Sequence, residues 1–167
     1  MFNYEIKTKI SNLDEIIQVI KNQGAKREGF LKQKDYYLKV GRYKKKIREI
    51  NNEAIEIISY TRNEKMGRKD SEYKIIKLTP KQKEILLIQN NPVCFVEKTR
   101  ELWIYKNTRI HFDKVVGLGD FIELETVVNQ KPKRQSLREF KEVVKLLKLD
   151  TKKAIPFSYS DLVLNKS

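Results

Sequence analysis

In an extended strand, residues two apart point to the same side, and this alternation sorts the charges of the chain into faces. Asn3, Glu5, Lys7 and Lys9 share one side of the first segment, with Tyr4, Ile6 and Thr8 on the other. Lys44, Lys46 and Arg48 align in the same way, as do Lys98 with Arg100, and Arg109 with His111 and Asp113. Glu123 and Glu125 stand with Phe121, opposite Ile122 and Leu124. A chain patterned like this builds strands with both signs of charge on one face and apolar side chains on the other.

Segments 3–9, 33–40, 43–50, 54–62, 71–78, 94–105, 107–113 and 119–128 read as strands. Tight connections near Gly41 and at Lys106-Asn107 favour antiparallel pairing. Three stretches read as amphipathic helices. The first covers Ser11 to Gln23, with Ser11 as cap, Asp14 returning the bond, and Leu13, Ile16, Ile17 and Ile20 as its stripe before Gly24. The second opens at Thr79-Pro80 and stops before Pro92. The third starts at Ser136 and carries Leu137, Phe140, Val143, Val144 and Leu147. The pattern predicts one α+β domain over 1–167, an antiparallel sheet with flanking helices. Asn63 to Lys69, which contains Gly67, reads as a mobile loop.

Two arrangements fit the charged faces. One is a one-sided sheet whose charged face is simply solvated. In the other, the strands curl into a barrel with the charges inward and the helices over the outer apolar faces. Buried unpaired charge is costly, so such a lumen is wet or filled by a charged ligand. The inward candidates are then the bases Lys7, Lys9, Lys44, Lys46, Arg48, Arg62, Lys98, Arg100 and Arg109, against the acids Glu5, Asp113, Glu123 and Glu125. Bases with a minority of carboxylates suit a polyphosphate with divalent metal, since carboxylates hold Mg²⁺ or Mn²⁺ while Arg and Lys clamp phosphate oxygens.

Composition narrows the classes. Hydrophobic residues at 40% support a real core, and the net charge of +14 calls for an anionic partner such as nucleic acid, a phosphate-rich molecule or a membrane surface. One cysteine, Cys94, excludes an intramolecular disulfide framework, and one histidine, His111, excludes a multi-His metal site. The first residues alternate charged and apolar side chains, unlike a signal peptide, and no apolar run approaches the ~20 residues that span a bilayer. The expectation is a soluble cytoplasmic protein. His111 reads as a structural or hydrogen-bonding residue, with acid–base chemistry as the alternative. Trp103 reads as outer-face packing rather than base stacking, Cys94 as inert, and Lys45 as solvating. The lysines of 63–69 and 131–134 read as surface residues.

Asn-Tyr-Glu-Ile-Lys at 3–7, Gln33-Lys-Asp-Tyr-Tyr, Gly41-Arg and Lys46-Ile-Arg-Glu form an ordered set. It continues through Ser71-Glu-Tyr, Val96-Glu-Lys-Thr-Arg, Arg109-Ile-His-Phe-Asp, Gly117-Leu-Gly-Asp-Phe-Ile-Glu-Leu-Glu and Ser158-Tyr-Ser-Asp-Leu. The set resembles the CYTH superfamily of triphosphate tunnel metalloenzymes, which includes class IV adenylyl cyclases and thiamine triphosphatases. Gly-Leu-Gly-Asp-Phe and Ser-Tyr-Ser-Asp-Leu look most like the cyclase-like branch.

The resemblance implies an eight-stranded antiparallel closed β-barrel whose tunnel binds a triphosphate with Mg²⁺ or Mn²⁺. By position, Glu5, Glu123 and Glu125 would be metal ligands, with Asp113 a further ligand or a partner of the bases. Lys7, Lys46, Arg48, Arg62, Lys98, Arg100 and Arg109 would hold the triphosphate, and Lys9 shares the Lys7 face. Glu5, Lys7 and Tyr37 are the catalytic candidates, with packing an equal alternative for Tyr37. Asn3 stands where the family pattern has its first Glu, which brings an amide oxygen but no charge to the metal. The implied reaction is ATP to cyclic AMP and pyrophosphate. The alternatives are hydrolysis of tripolyphosphate, a nucleoside triphosphate or thiamine triphosphate, and, more remotely, of an RNA 5′-triphosphate. A non-enzymatic polyphosphate or nucleic-acid binding module is a further reading. No helix-turn-helix, zinc finger or aromatic strand motif predicts specific nucleic-acid recognition. The resemblance is compatible with a homodimer.

Overall fold

The computed structural model describes residues 2–65, 68–128 and 133–166, with side chains described except at 2, 62–65 and 68–73. Eight strands form one antiparallel sheet: β1 (Phe2–Lys9), β2 (Lys26–Lys39), β3 (Tyr43–Ile50), β4 (Ala54–Lys65), β5 (Arg68–Lys77), β6 (Cys94–Tyr105), β7 (Thr108–Val115) and β8 (Gly119–Val127). The helices are α1 (Leu13–Asn22), α2 (Pro80–Gln89), α3 (Lys133–Leu146) and α4 (Tyr159–Leu164). The sheet order is β1-β5-β4-β3-β2-β6-β7-β8. β1 pairs with β8 from Asn3↔Val127 to Lys9↔Phe121, but among the described residues it meets β5 only at Phe2↔Asp70 and Asn3↔Lys69.

The faces divide as the alternation predicts. Ile6, Trp103, Ile110, Phe112, Ile122 and Leu124 turn outward and pack under Ile16 and Ile20 of α1 and Val143 and Val144 of α3. Trp103 is therefore core, and its indole N–H donates to Glu101 at 2.8 Å. The same hydrophobic driving force curls the sheet over its charged face. A second apolar cluster, Tyr37, Cys94, Val96, Val115, Leu118, Phe121 and Tyr159, lies on that inner face where α4 packs.

Turn chemistry sets the register. Lys106 adopts φ 54° in the β6–β7 hairpin, and buried Glu139 of α3 accepts from the Asn107 backbone at 2.8 Å and from Thr108 Oγ1 at 2.9 Å. Gly117 and Gly119 take φ 75° and 107° in the β7–β8 turn, backbone that L side chains rarely adopt. A Cβ on Gly119 would also stand 3.1 Å from Lys9 Cε.

Several boundaries differ from expectation. β2 begins at Lys26, seven residues before the expected 33, because its first half is mostly exposed and carries no alternating apolar signal. α1 is preceded by Asn12 with no side-chain cap bond, so the capping box expected at Ser11 does not form. α2 does have its capping box, Thr79 with Gln82, and Pro80 opens it. Within the described residues α3 starts at Lys133, and Ser136 is buried inside it rather than capping it. In the expected loop at 63–69, Asn63–Lys65 complete β4 and Arg68–Lys69 open β5; residues 66–67 lie outside the described residues.

The helix-covered outer face should dominate stability. Ile110, fully buried, should lose about 2–5 kcal/mol on Ile110→Ala. Ile88→Ala, at a residue 74% exposed on α2, should stay within about 0.5 kcal/mol. Urea unfolding of both variants measures this, and similar losses would contradict the assignment of the core.

Candidate functional site

Across the curled inner face, seven strands and α4 contribute to one cavity of ≈ 200 Å³. Glu5 and Lys7 reach it from β1, Tyr37 from β2, Lys46 and Arg48 from β3, Lys98 and Arg100 from β6, and Glu123 and Glu125 from β8. Ile58, Tyr60, Ile75, Ser158 and Tyr159 complete the lining. A roomier groove of ≈ 420 Å³ runs over β2, β6 and β7, but its Lys32, Lys34, Glu49, Glu97, Lys114 and Asp120 mix the two signs without segregating them.

Three of the cavity cations, Lys46, Arg48 and Arg100, are held by two buried carboxylates. Arg48 donates from Nε to Asp35 Oδ1 and from Nη2 to Asp35 Oδ2, both at 2.7 Å, and Lys46 Nζ adds a third bond at 2.7 Å. Arg100 grips Asp113 in the same fork, Nε to Oδ1 and Nη2 to Oδ2 at 2.7 Å, while the Tyr159 hydroxyl donates to Oδ2 at 2.7 Å. Bidentate bonding fixes each guanidinium plane. Each arginine spends two of its five N–H donors this way, leaving donors for a ligand.

These contacts set the protonation states. Burial raises the Asp35 carboxyl, but Lys46 and Arg48 overcome it and hold Asp35 well below the usual carboxylate range. Asp113 is likewise held down to about 2 by Arg100 against burial. Burial, with Arg48 adding to it and Asp35 opposing, brings Lys46 down to about 8. Burial and then Arg100 and Arg48 depress Lys98 well below an ordinary lysine. The Tyr37 phenol is raised, first by burial and then by Tyr60 and Asp35, so it stays protonated. Lys46 Nζ lies 3.3 Å from its oxygen.

The acids come from β1 and β8, and Arg100 Nη2 approaches Glu123 Oε1 at 3.6 Å. Cross-strand register sets Glu125 between Glu5 and Arg109, and Glu123 between Lys7 and His111. Burial, then Glu123 and Glu5, push the Glu125 carboxyl up to about 7. Clustered oxygen donors under mutual repulsion fit a hard divalent cation such as Mg²⁺ or Mn²⁺. Lys7 Nζ lies 3.1 Å from Glu123 Oε2 and 4.2 Å above the Tyr159 ring. Arg109 Nη1 lies 3.7 Å from Glu125 Oε2 with its side chain 42% exposed, at the edge of the group.

Not every expected residue reaches the cavity. Lys9 is exposed at the end of β1, its Nζ 6.0 Å from the Phe121 ring centroid. Lys44 is buried, but Asp161 of α4 takes its amine at 2.9 Å, so it serves the fold. Asp113 stands behind Arg100, both its oxygens already accepting, which makes it a partner of the bases. The Arg62 side chain lies outside the described residues. His111 is buried on the face of Arg109 and Asp113, its Nδ1 3.6 Å from Glu123 Oε1 and without a hydrogen-bond partner. Asp35 and Tyr159 were missed as site residues. Asp35 was findable, because Gln33, Asp35 and Tyr37 alternate as buried positions of β2. For Tyr159 the signal is the Ser158-Tyr-Ser-Asp run, in which Ser158 and Asp161 form a capping box that fixes the start of α4.

The sequence profile of the CYTH domain matches residues 1–159, and the chain belongs to the CYTH domain family. No curated protein sequence matches it. Among solved structures, the fold resembles PH1012 of Pyrococcus horikoshii at a TM-score of 0.82, with 21% identity over 96% of this chain and 98% of that one. A conserved hypothetical protein of Pyrococcus furiosus gives a TM-score of 0.81, with 19% identity over 96% and 99% of the two chains. A Vibrio parahaemolyticus protein provisionally assigned as an adenylate cyclase gives 0.76, with 16% identity over 98% of each chain. At these identities the likenesses establish the fold. Among the described residues no helix is long and apolar enough to cross a membrane.

Two measurements probe the electrostatics. Asp35→Ala leaves Lys46 and Arg48 buried without their counter-charge and should cost about 3–5 kcal/mol; a loss under about 1 kcal/mol would show that these cations are solvated. Glu125 is raised from 4.5 to about 7, so folding binds its proton and ionisation destabilises the folded state as pH rises through that window. In chelator, Glu125→Gln should therefore gain thermal stability over the wild type between pH 4.5 and 7. A pH-independent difference would contradict the crowding of these carboxylates.

Proposed function

We propose that this chain is a divalent-metal-dependent enzyme that binds a triphosphate in the inner cavity, acting as a class IV adenylyl cyclase-like enzyme on ATP. The observation that carries the reading is one cavity lined both by fork-held arginines from β3 and β6 and by mutually repelling carboxylates from β1 and β8. A triphosphate complements the arginines and a divalent cation the carboxylates. In this reading the sheet closes through the short β1–β5 contact into a barrel, so the cavity is a tunnel that strips water from the phosphates.

Arg48 and Arg100 would clamp phosphate oxygens with the donors not spent on Asp35 and Asp113. Lys7, Lys46 and Lys98, with Arg109 at the edge, would neutralise the charge that grows on departing pyrophosphate. An entering anion would favour the charged form of the amines that burial depresses. Tyr37, held protonated, serves as a hydrogen-bond donor. Mg²⁺ or Mn²⁺, held by Glu5, Glu123 and Glu125, would supply Lewis-acid stabilisation and acidify the attacking hydroxyl. Asn3, whose buried Oδ1 has no hydrogen-bond partner, offers a neutral oxygen where the family pattern has a charged one.

A product panel tests this. The protein is incubated with Mg²⁺ or Mn²⁺ and ATP, tripolyphosphate or thiamine triphosphate, and cyclic AMP, pyrophosphate and orthophosphate are resolved. Cyclic AMP with pyrophosphate is expected. Orthophosphate without cyclic AMP would reassign the chain as a triphosphate hydrolase, and no turnover would leave a polyphosphate-binding module. Removal of one oriented charge donor should cost about 10²–10³ in kcat, so Arg48→Ala should weaken triphosphate turnover to that extent. A variant changed only in thermal stability would contradict a role in binding.

A further inference from the structure

His111 is buried, 6% exposed, on the same face of β7 as Arg109 and Asp113. Its register partner on β8 is Glu123. Nδ1 stands 3.6 Å from Glu123 Oε1, beyond hydrogen-bond length, and has no hydrogen-bond partner. Leaving a buried polar atom unpaired is unfavourable, and a bound ligand would relieve it. One donor atom from each of His111, Glu123 and Glu125 lies within 4.8 Å of the other two. Donors ~2.1 Å from an ion sit ~3–4 Å apart around it, so small side-chain shifts bring the three onto one cation.

We propose that His111 Nδ1 is the third protein ligand of the divalent ion held by Glu123 and Glu125, and that this nitrogen makes the site prefer Mn²⁺ to Mg²⁺. The inference rests on the proposed binding of a divalent cation by these carboxylates. The neutral imidazole carries at Nδ1 or Nε2 the lone pair that coordinates a metal. Lys7 lies 3.1 Å from Glu123 Oε2, Arg100 Nη2 3.6 Å from Glu123 Oε1 and Arg109 3.7 Å from Glu125 Oε2, cations that a bound divalent ion would have to displace or offset. Mg²⁺ demands oxygen donors in near-octahedral geometry and gives up water reluctantly, whereas first-row transition ions accept imidazole readily. A site of one nitrogen and two carboxylates therefore separates the two ions by chemistry rather than charge.

His111 is the only histidine in the chain, so an imidazole signal from untagged protein has one source. The full chain is loaded with Mn²⁺ and its electron spin-echo modulation recorded, with free Mn²⁺ titrated by electron paramagnetic resonance and Mg²⁺ as competitor. Modulation from a directly bound ¹⁴N is expected. His111→Asn should abolish it, lower Mn²⁺ affinity at least about tenfold and change Mg²⁺ affinity less than about threefold. Bound Mn²⁺ without ¹⁴N coupling in the wild type overturns the ligand assignment while leaving the carboxylate site standing. An unchanged Mn²⁺ to Mg²⁺ ratio in the variant overturns the selectivity. If the wild type binds no Mn²⁺, the metal reading fails, and this inference fails with it. The wild-type spectrum decides the assignment even if the variant does not fold.

Discussion

Packing Lys46, Arg48, Lys98 and Arg100 side by side in a protein interior is unfavourable, and the structure solves that problem before any ligand arrives. Asp35 and Asp113, each 1% exposed, provide the counter-charges. Bidentate forks satisfy both oxygens of each, so the carboxylates stay ionised against the burial that would neutralise them. Without them the alternating bases of β3 and β6 would force the inner face open to solvent. The burial of these bases therefore rests on two acids, while the apolar core packs the other side of the sheet.

The compensation is uneven, and the unevenness is informative. Lys98 is pressed toward its neutral form, and so is Glu125. Each would relax beside an ion of opposite sign. The two residues cannot satisfy one another because Arg48 and Arg100 stand near the lysine and Glu5 and Glu123 near the acid. Groups of both signs in one cavity are thus held away from their ordinary protonation equilibria, a feature that clusters at functional sites.

Much of this was legible in the chain. Period-two phasing assigned the inner residues of β1, β3, β6, β7 and β8 because each carries alternating charge over an apolar face. It failed where the signal lies outside the strand. Lys44 shares the phase of Lys46, but its fate is decided by Asp161, more than a hundred residues away, which no local pattern announces. Lys9 keeps the phase of Lys7, yet it stands exposed at the end of β1. Asp35 has a readable phase, but as a lone acid between Lys34 and Tyr36 it shows no run of charges two apart like those of β1 and β3. The first half of β2 is solvent-facing and offers no periodicity at all.

The six-residue α4 is far shorter than the roughly 12–15 residues at which isolated helices become even marginally stable. Its order comes from the Ser158 cap, the Asp161–Lys44 ion pair and the Tyr159 hydroxyl on Asp113. In thermodynamic terms it is a tethered ligand of the sheet, held at an effective concentration on the order of millimolar. Tyr159 also lies 4.2 Å from Lys7 Nζ and 5.1 Å from Lys98 Nζ, amines of the cavity itself. Order in the chain's last turn and charge in the cavity are linked quantities, and a shift in either is felt by the other in equal measure.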